Sequence, residues 1–351
     1  MEIRQSVTIA LAVYRPQAKW LKEQLCSLNR QTYAGKLDLL VWNDSPKDFD
    51  CAPLLKKYIT RFSYRILQNG KTNGVTAAFA ALTAQAGGDF IAYCDQDDIW
   101  DSRKIEVMAA FMHENPVVSA CHCNAGYIDE AGNALPNTLY GRAAKLSGSL
   151  LNSSAIEKIN DRAYQEKCFV NKNWALGFCM LVRRAVAKAA LPFPPMVFHD
   201  QWLELVARQP GGRDHLTDRL FVALFCGGFR FLPETLAFHR LHGKNSSETL
   251  HGVTSKADYY AQKLEKDARF LQEVTRRLPC GEIYAAELSW MAARKAYAKS
   301  VTLSSAHRLF ALRHVRRGVT LFELLLPFLP NPLFSAILRL TRTIVARFGI
   351  R

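Results

Sequence analysis

Apolar runs of strand length alternate with helically spaced apolar residues along the first hundred residues of this chain. Val7 to Val13 is a short continuous run typical of a buried strand, and Trp20, Leu21, Leu25 and Leu28 then recur at helical spacing. The same criteria predict further strands over 37–42, 64–67 and 90–94 and further helices over 54–62 and 75–86. This alternation predicts an α/β fold in which a mostly parallel, Rossmann-like sheet is flanked by helices.

The pattern is less regular after residue 117. Residues 174–182 predict a strand or the start of a buried helix, and residues 183–190 predict a helix. A short strand is expected over 229–232, then a turn beginning at Glu234, then an edge strand over 236–241. A charged, solvent-facing helix is expected over 259–277.

Three of the predicted strands end in polar residues. Tyr14-Arg15 follow the first strand, Asn43-Asp44 follow the second, and the segment from Asp95 to Asp98 follows the fourth. Ligands of parallel α/β sheets bind outside the carboxyl ends of the strands. We therefore expect these side chains to meet in one crevice.

The segment from Asp95 to Asp98 places three carboxylates within four residues. Like charges this close repel unless a cation neutralises them. Mg²⁺ or Mn²⁺ takes oxygen ligands, usually one or two carboxylates together with substrate phosphates. These properties predict metal and nucleotide binding, whereas the alternative is a solvated turn in which Asp101 and Ser102 cap the next helix.

Composition places the chain among folded globular proteins. Its 351 residues are 49% hydrophobic and 22% charged. Nine scattered cysteines favour a reducing cytosol over a disulfide scaffold. Cys121-His122-Cys123 has no second pair at zinc-finger spacing, so a buried strand is expected there. The N-terminus has no apolar signal region, so secretion is not expected.

The positive charge is concentrated at the C-terminus. Of the net charge of +15, +10 lies between residues 294 and 351, where eleven Lys or Arg residues accompany one acid, Glu323. Glu323 and three prolines interrupt the apolar run 321–338, and neither half can span about 30 Å of hydrocarbon. We expect two amphipathic segments that lie on an anionic membrane surface. A helical hairpin packed on the rest of the chain and an oligomer contact are the alternatives.

Two later segments also carry candidate chemistry. Asp200 follows a proline-rich bend and opens an apolar helix, so it is either a helix cap or a carboxylate directed into a cleft. Arg240 and Lys244 flank His242, and they either pair with phosphate or are ordinary surface cations.

Taken in order, these motifs resemble those of the family 2 glycosyltransferases over about residues 6–246. They are VTIALAVY at 7–14, LLVWNDS at 39–45, NGV at 73–75, AYCDQDDIW at 92–100, HDQW at 199–202 and HRLHGKN at 239–245. The form DQDDIW is most similar to bacterial rhamnosyltransferase-like members of surface polysaccharide synthesis.

The resemblance implies a GT-A fold, an inverting reaction and the following roles. The expected nucleotide-sugar contacts are Asp44 at the base, Ala12, Val13 and Tyr14 around it, and Asn73, Asp95 and Asp97. The expected ligands of Mg²⁺ or Mn²⁺ are Asp97, Asp98 and His242, and the expected general base is Asp200. Two positions depart from the family, since Asn43 replaces a common second acid and Gln201 an aromatic or hydrophobic residue.

The activity implied is transfer of rhamnose or a hexose from a dTDP- or UDP-sugar to a lipid-linked or polysaccharide acceptor in O-antigen, capsule or lipopolysaccharide synthesis. The enzyme is expected in the cytoplasm, peripherally on the inner face of the bacterial plasma membrane. The catalytic domain is expected over 1–250, with a nucleotide-binding half over 1–115 and an acceptor-binding half over 116–250. A helical, basic, membrane-associating region is expected over 251–351.

Two other functional classes are compatible with parts of the sequence. A non-catalytic sugar-nucleotide-binding or scaffold protein would not need Asp97, Asp98, Asp200 and His242 together. A nucleic-acid-binding protein would account for the basic charge, but the cations alternate with aliphatic runs rather than exposed aromatics, so no nucleic-acid partner is expected.

Overall fold

The structure, a computed structural model, describes residues 5–68, 74–139, 157, 160, 175–208, 228–242, 253–278 and 282–348. Its first four strands follow the predicted apolar runs. The strands are β1 (Val7–Val13), β2 (Leu37–Asn43), β3 (Ser63–Leu67) and β4 (Phe90–Cys94), separated by helices α1 (Ala18–Asn29), α2 (Ala52–Tyr58) and α3 (Val75–Gln85). All pairings among these four strands are parallel, in the order β3-β2-β1-β4. Val7, Ile9 and Leu11 of β1 are fully buried, since helices cover the sheet and exclude water from its apolar faces.

Antiparallel pairings and one further parallel pairing extend this sheet beyond β4. The further elements are β5 (Ile99–Trp100), α4 (Lys104–Glu114), β6 (Ala120–Ile128), β7 (Ala134–Thr138), a 3₁₀ turn (Gly177–Cys179), β8 (Met180–Arg183), α5 (Arg184–Ala189), α6 (His199–Arg208) and β9 (Phe229–Arg240). β8 lies antiparallel between β4 and β6, and β9 lies between β6 and β5. The nine strands therefore form one mixed sheet in which β1 to β4 are parallel.

The expected turn at Glu234 is wrong, because β9 is one continuous strand. Its pairing with β6 changes register between Cys123 and Ala125, and this irregularity accommodates Pro233, which has no N–H to donate. β9 is also an interior strand rather than an edge strand, since β5 pairs with its far side.

The buried strand expected at Cys121-His122-Cys123 is confirmed as part of β6. Alternate residues of a strand point to opposite faces, so the two cysteines face away from the histidine. The His122 ring stacks on Phe229 with 4.6 Å between ring centroids. These three side chains therefore do not converge on one point.

The chain forms two compact units, one holding the described residues up to 242 and the other those from 253. The helices of the second unit are α7 (Lys256–Asp258), a π-helical segment (Tyr259–Leu264), α8 (Glu265–Arg277), α9 (Glu282–Lys299), α10 (Leu303–Ala311), α11 (Arg317–Leu325), a 3₁₀ segment (Leu326–Phe328) and α12 (Asn331–Phe348). The functional division of residues 1–250 at residue 115 stays a prediction.

The second unit has its own apolar core and a buried ion pair. Residues 259–277 are not uniformly solvent-facing, because Leu264, Ala268 and Leu271 pack against Trp290. Glu323, an interruption of the apolar run in the sequence, is 3% exposed and accepts a 2.8 Å hydrogen bond from Nε of Arg294. Within the described ranges, no helix combines the length and apolar character needed to cross a bilayer.

Candidate active site

The carboxyl ends of β1, β2 and β4 lie side by side at one edge of the sheet. Val13 pairs with Asn43 across β1 and β2, and Leu11 pairs with Cys94 across β1 and β4. The loops that follow these strands therefore start next to one another. They begin with Tyr14, Asp44 and Asp95.

Gln96 fastens the acidic loop, defined as residues Asp95 to Asp98, to the end of β1. Its Oε1 accepts a 2.8 Å hydrogen bond from the backbone N–H of Tyr14, and its Nε2 donates at 3.0 Å to the Tyr14 carbonyl. An amide satisfies both backbone groups at once, which a carboxylate cannot do. The backbone N–H of Arg15 donates to Oγ of Ser45 at 2.7 Å, so the β2 loop is held as well.

Asp44 is buried between β2 and the start of α3. Its Oδ1 accepts from the Trp42 indole N–H at 3.1 Å, and its Oδ2 accepts from the backbone N–H of Gly74 at 2.9 Å. Tyr14 is 45% exposed at the neighbouring strand end, while Ala12 is half-buried. Contact of these residues with a nucleotide base stays a prediction, and Asn73 lies outside the described residues.

Asp97 meets His242, as the sequence predicts for a shared ligand. The Asp97 Oδ2 and His242 Nε2 atoms are 3.0 Å apart. The His242 ring packs on Trp20 of α1, with 4.7 Å between centroids. The aromatic face fixes the imidazole, so its nitrogen stays directed at the carboxylate.

Asp98 is fully buried and faces different partners. Its Oδ1 accepts from the backbone N–H of Arg240 at 3.0 Å and lies 2.9 Å from Nδ1 of His239. Its Oδ2 is also buried and receives no hydrogen bond from any residue that the structure describes. An unsatisfied buried carboxylate oxygen is costly, so it marks this end of the acidic loop as a place that favours a cation.

Arg240 is buried and hydrogen-bonds to the acidic loop, so it is not a surface cation. The side chain is fully buried, and its guanidinium donates to the Asp97 carbonyl at 2.8 Å, to the Asp129 carbonyl at 3.1 Å and to the Glu23 carboxylate at 2.6 Å. A fully buried guanidinium has no exposed N–H for a substrate phosphate. Lys244 lies outside the described residues.

The donor set at this end of the site fits a hard divalent ion. Mg²⁺ and Mn²⁺ need only one or two protein carboxylates when substrate phosphates and waters supply the other oxygens. Asp97 supplies one carboxylate and His242 a nitrogen beside it. Over the described ranges, no group of three or more His, Cys, Asp or Glu side chains converges as a complete metal cage. Direct ligation by Asp98 stays a prediction.

Asp200 lies in the first turn of α6 and is 7% exposed. Its Oδ2 accepts from the backbone N–H of Gly177 at 3.1 Å, and its Oδ1 accepts from the N–H of Gln201 at 2.7 Å. The next residue of the same 3₁₀ turn, Phe178, stacks on His239 with 5.3 Å between centroids. One short turn therefore contacts both Asp200, the predicted base, and His239, which hydrogen-bonds to Asp98.

His199, which precedes Asp200, is a site residue that sequence reasoning missed. It is 4% exposed and stacks on Phe79 with 3.8 Å between centroids, and neither ring nitrogen has a hydrogen-bond partner within the described ranges. Burial lowers the pKa of this histidine to about 4. A Cβ added to Gly177 would lie 2.4 Å from Nε2 of His199, so the imidazole ring fills the space that a side chain at residue 177 would need.

The sequence matches the family model for glycosyl transferase family 2 over residues 8–191. The chain belongs to this family. The family 2 match includes Asp44 and the acidic loop. Asp200, Arg240 and His242 lie beyond its C-terminal limit.

Curated relatives of this family 2 chain match parts of it. An uncharacterized glycosyltransferase of Methanocaldococcus jannaschii is 28% identical over 130 residues, which are 37% of this chain and 44% of that protein. An uncharacterized glycosyltransferase of a Nostoc species is 23% identical over 273 residues, 75% of this chain and 74% of that protein. WfgD of Escherichia coli, a UDP-Glc:alpha-D-GlcNAc-diphosphoundecaprenol beta-1,3-glucosyltransferase, is 31% identical over 97 residues, 28% of this chain and 37% of WfgD. The chain thus spans less than half of the archaeal protein and of WfgD.

Solved structures share the fold. TarS of S. aureus in complex with UDP-GlcNAc superposes with a TM-score of 0.50 at 15% identity, covering 91% of this chain and 81% of that chain. The mannosyltransferase PcManGT of Pyrobaculum calidifontis in complex with GDP-Man and Mn²⁺ gives 0.51 at 15% identity, covering 92% and 85%. The predicted GT-A fold, with a helical C-terminal region after it, is confirmed. A particular closeness to rhamnosyltransferases stays a prediction.

Proposed function

We propose that this protein is an inverting glycosyltransferase that moves a sugar from a nucleoside diphosphate donor to a hydroxyl of a lipid-linked or glycan acceptor. The observation that carries the proposal is the turn at Gly177 and Phe178, which contacts the Asp200 carboxylate with one residue and His239 with the next. Through His239 and Asp98, this turn links the proposed base to the acidic loop, where a donor diphosphate and its cation would bind.

Asp200 is suited to accept the acceptor's proton. Each of its oxygens receives one backbone N–H, which leaves a further lone pair on each for the attacking hydroxyl. Those two N–H groups also hold the carboxylate in one orientation, as a general base requires. A single base and one direct displacement invert the anomeric carbon.

The acidic loop and the strand ends are suited to hold the donor. Asp97 and His242 would bind Mg²⁺ or Mn²⁺, and such a cation stabilises the charge on the departing diphosphate. Asp44 would accept from the base, with Ala12, Val13, Tyr14, Asn73 and Asp95 around the nucleoside. The complexes of TarS with UDP-GlcNAc and of PcManGT with GDP-Man and Mn²⁺ support this class of donor.

The proposal extends to the acceptor and the pathway. WfgD, named for a diphosphoundecaprenol-linked acceptor, supports a lipid-linked acceptor here. The donor would be a dTDP- or UDP-linked rhamnose or hexose, the product a bacterial surface polysaccharide, and the site of action the inner face of the plasma membrane.

The decisive experiment combines a donor panel with an Asp200→Asn variant. Wild type is first screened by thermal shift with UDP-, dTDP- and GDP-sugars in the presence of Mn²⁺. Transfer from the stabilising donor is then measured on GlcNAc-diphosphoundecaprenol in detergent. Removing a general base costs about 10²- to 10⁴-fold in turnover, so Asp200→Asn is expected to lose that much while keeping the donor-induced shift.

Glu114→Gln is the matched control, because it neutralises an exposed carboxylate at the end of α4 and should keep full turnover. Unchanged turnover of Asp200→Asn would remove the base assignment. If no nucleotide sugar raised the melting temperature of the wild type, the glycosyltransferase proposal itself would fail.

A further inference from the structure

The second unit presents large apolar side chains to solvent on two consecutive helices and the turn between them. On α11, Leu325 is 61% exposed, and Phe328 in the 3₁₀ segment that follows is 73% exposed. Leu340 on α12 is 60% exposed. Isolated exposed leucines are ordinary on a protein surface, whereas several large apolar side chains exposed along consecutive helices are typical of an interaction site.

These side chains follow helical spacing on the faces that the unit does not use for its own packing. Leu321 and Leu325 are four residues apart on α11, and Leu333 and Leu340 are seven apart on α12, so each pair shares a helix face. We call Leu321, Leu325, Phe328, Leu333 and Leu340 the apolar stripe.

The opposite faces of the same elements are already occupied. Leu326, Phe334 and Leu338 are buried together with Tyr259 of the π-helical segment. The described helices of this unit therefore pack through these opposite faces and leave the exposed residues uncovered.

The chain segment that carries the apolar stripe is positively charged. Arg313 lies between α10 and α11, Arg317 begins α11 and Arg339 lies on α12, and all three are exposed. The acid within residues 303–341 is Glu323, which is buried and paired with Arg294, so it does not offset them. Arg317 lies one turn before Leu321 on the same helix face, where its long stem reaches past apolar surface while the guanidinium stays in water.

We propose that the apolar stripe and its arginines bind the surface of a bilayer containing anionic phospholipids. The leucine and phenylalanine side chains enter the interface between headgroups and acyl chains, and the arginines pair with headgroup phosphates. Charge complementarity decides between occupants, because a second copy of this chain would bring the same arginines against each other, whereas an anionic bilayer is attracted to all of them. The binding would bring the proposed transferase to a lipid-linked acceptor, but it does not depend on the transfer reaction.

The test is sedimentation of the full chain with vesicles, without donor or acceptor. Wild type is expected to bind vesicles of phosphatidylglycerol and phosphatidylcholine at least tenfold more strongly than vesicles of phosphatidylcholine alone, and to weaken as salt is raised. The variant Leu325→Glu/Phe328→Glu should lose at least tenfold of that binding. Arg313→Gln/Arg317→Gln should lose the preference for phosphatidylglycerol.

The matched control is Val117→Glu, which places the same charge at a 55% exposed apolar residue of the first unit and should bind as wild type does. The proposal would be overturned if wild type bound both kinds of vesicle equally. It would likewise be overturned if Leu325→Glu/Phe328→Glu bound the anionic vesicles as strongly as wild type does. It would also be overturned if light scattering showed a wild-type dimer that this variant dissolves while vesicle binding is absent, because the stripe would then join two copies. The arginine variant, changed only at exposed positions, keeps the test valid if the apolar variant fails to fold.

Discussion

His199 shows how one buried residue can affect both the site and the pH dependence of stability. Its ring lies between Phe79 and the glycine beside Asp200, with both nitrogens buried and unpartnered in the part of the chain that the structure describes. Desolvation favours the neutral imidazole. The folded protein therefore holds this side chain uncharged at pH values where an unfolded chain would protonate it.

We expect stability to fall as the pH is lowered from 6.5 to 4, and His199→Phe to reduce that fall. The unfolded imidazole takes up a proton below about 6.5, whereas the folded pKa is about 4, so acid favours the unfolded chain across this window. The full difference corresponds to roughly 3 kcal/mol. Urea unfolding of both proteins between pH 4 and 7.5 measures it, and parallel curves would contradict the prediction.

The residues of the site differ in how far the sequence reveals them. The carboxylates of the acidic loop predict cation binding from residue type, whereas the roles of Asp200 and His242 follow from the family resemblance alone. The structure brings Asp97 and His242 together. The sequence cannot show that Asp98 turns inward to His239, because the direction of each carboxylate depends on strand β9, far away in the chain.

At the level of elements, Arg240 joins four separate parts of the first unit. From the end of β9 its guanidinium reaches the acidic loop, the turn after β6 and Glu23 of α1. The strands around it were predictable because their apolar runs are short and uninterrupted. The Arg240 contacts were not, because Glu23 has the sequence appearance of any exposed helix carboxylate. Continuous β9 was missed for a similar reason, since Pro233-Glu234 has turn composition and only pairing with β6 overrides it.

Arg240→Lys is expected to weaken the acidic loop although the charge is kept. Lysine has one amino group and cannot supply the planar fork that reaches three acceptors in different directions. Leaving buried carbonyls without a donor and weakening the contact with Glu23 should lower the free energy of unfolding by about 2–4 kcal/mol. It should also reduce the stabilisation by donor and Mn²⁺.

Chemical denaturation with and without donor measures both effects. Arg276→Lys provides the control, since Arg276 pairs with Glu273 on the surface of the second unit and the change should leave the stability as in wild type. An Arg240→Lys protein as stable as this control would show that the fork is not needed.

At the level of the whole molecule, each of the two units has a core of its own. In the second unit, Glu323 accepts from Arg294 at 2.8 Å and from the Tyr259 hydroxyl at 2.7 Å, all three side chains being buried. Composition alone placed the basic charge at the C-terminus. It did not show that the single acid in that region is buried in an ion pair with Arg294, so that the net charge of +10 is carried by residues outside this pair.

Glu323→Gln should destabilise the second unit selectively. It keeps the side-chain shape but leaves the buried Arg294 without its principal counter-charge, which costs about 3 kcal/mol. In calorimetry one unfolding transition should move to lower temperature while another stays in place. The control Glu265→Gln removes an exposed partner of Lys295 and should change neither. A common shift of the whole profile would show that the two units unfold together.

Strand β9 also has a consequence for how this protein folds. Asp98 and Asp97 find their histidine partners 141 and 145 positions further along the chain. Until β9 docks, the parallel strands can assemble, but three carboxylates within four residues repel one another without these histidine partners. During synthesis, the N-terminal strands emerge well before residues 239–242. We therefore expect the acidic loop to be the last part of the first unit to become ordered, and divalent cations to accelerate that late step.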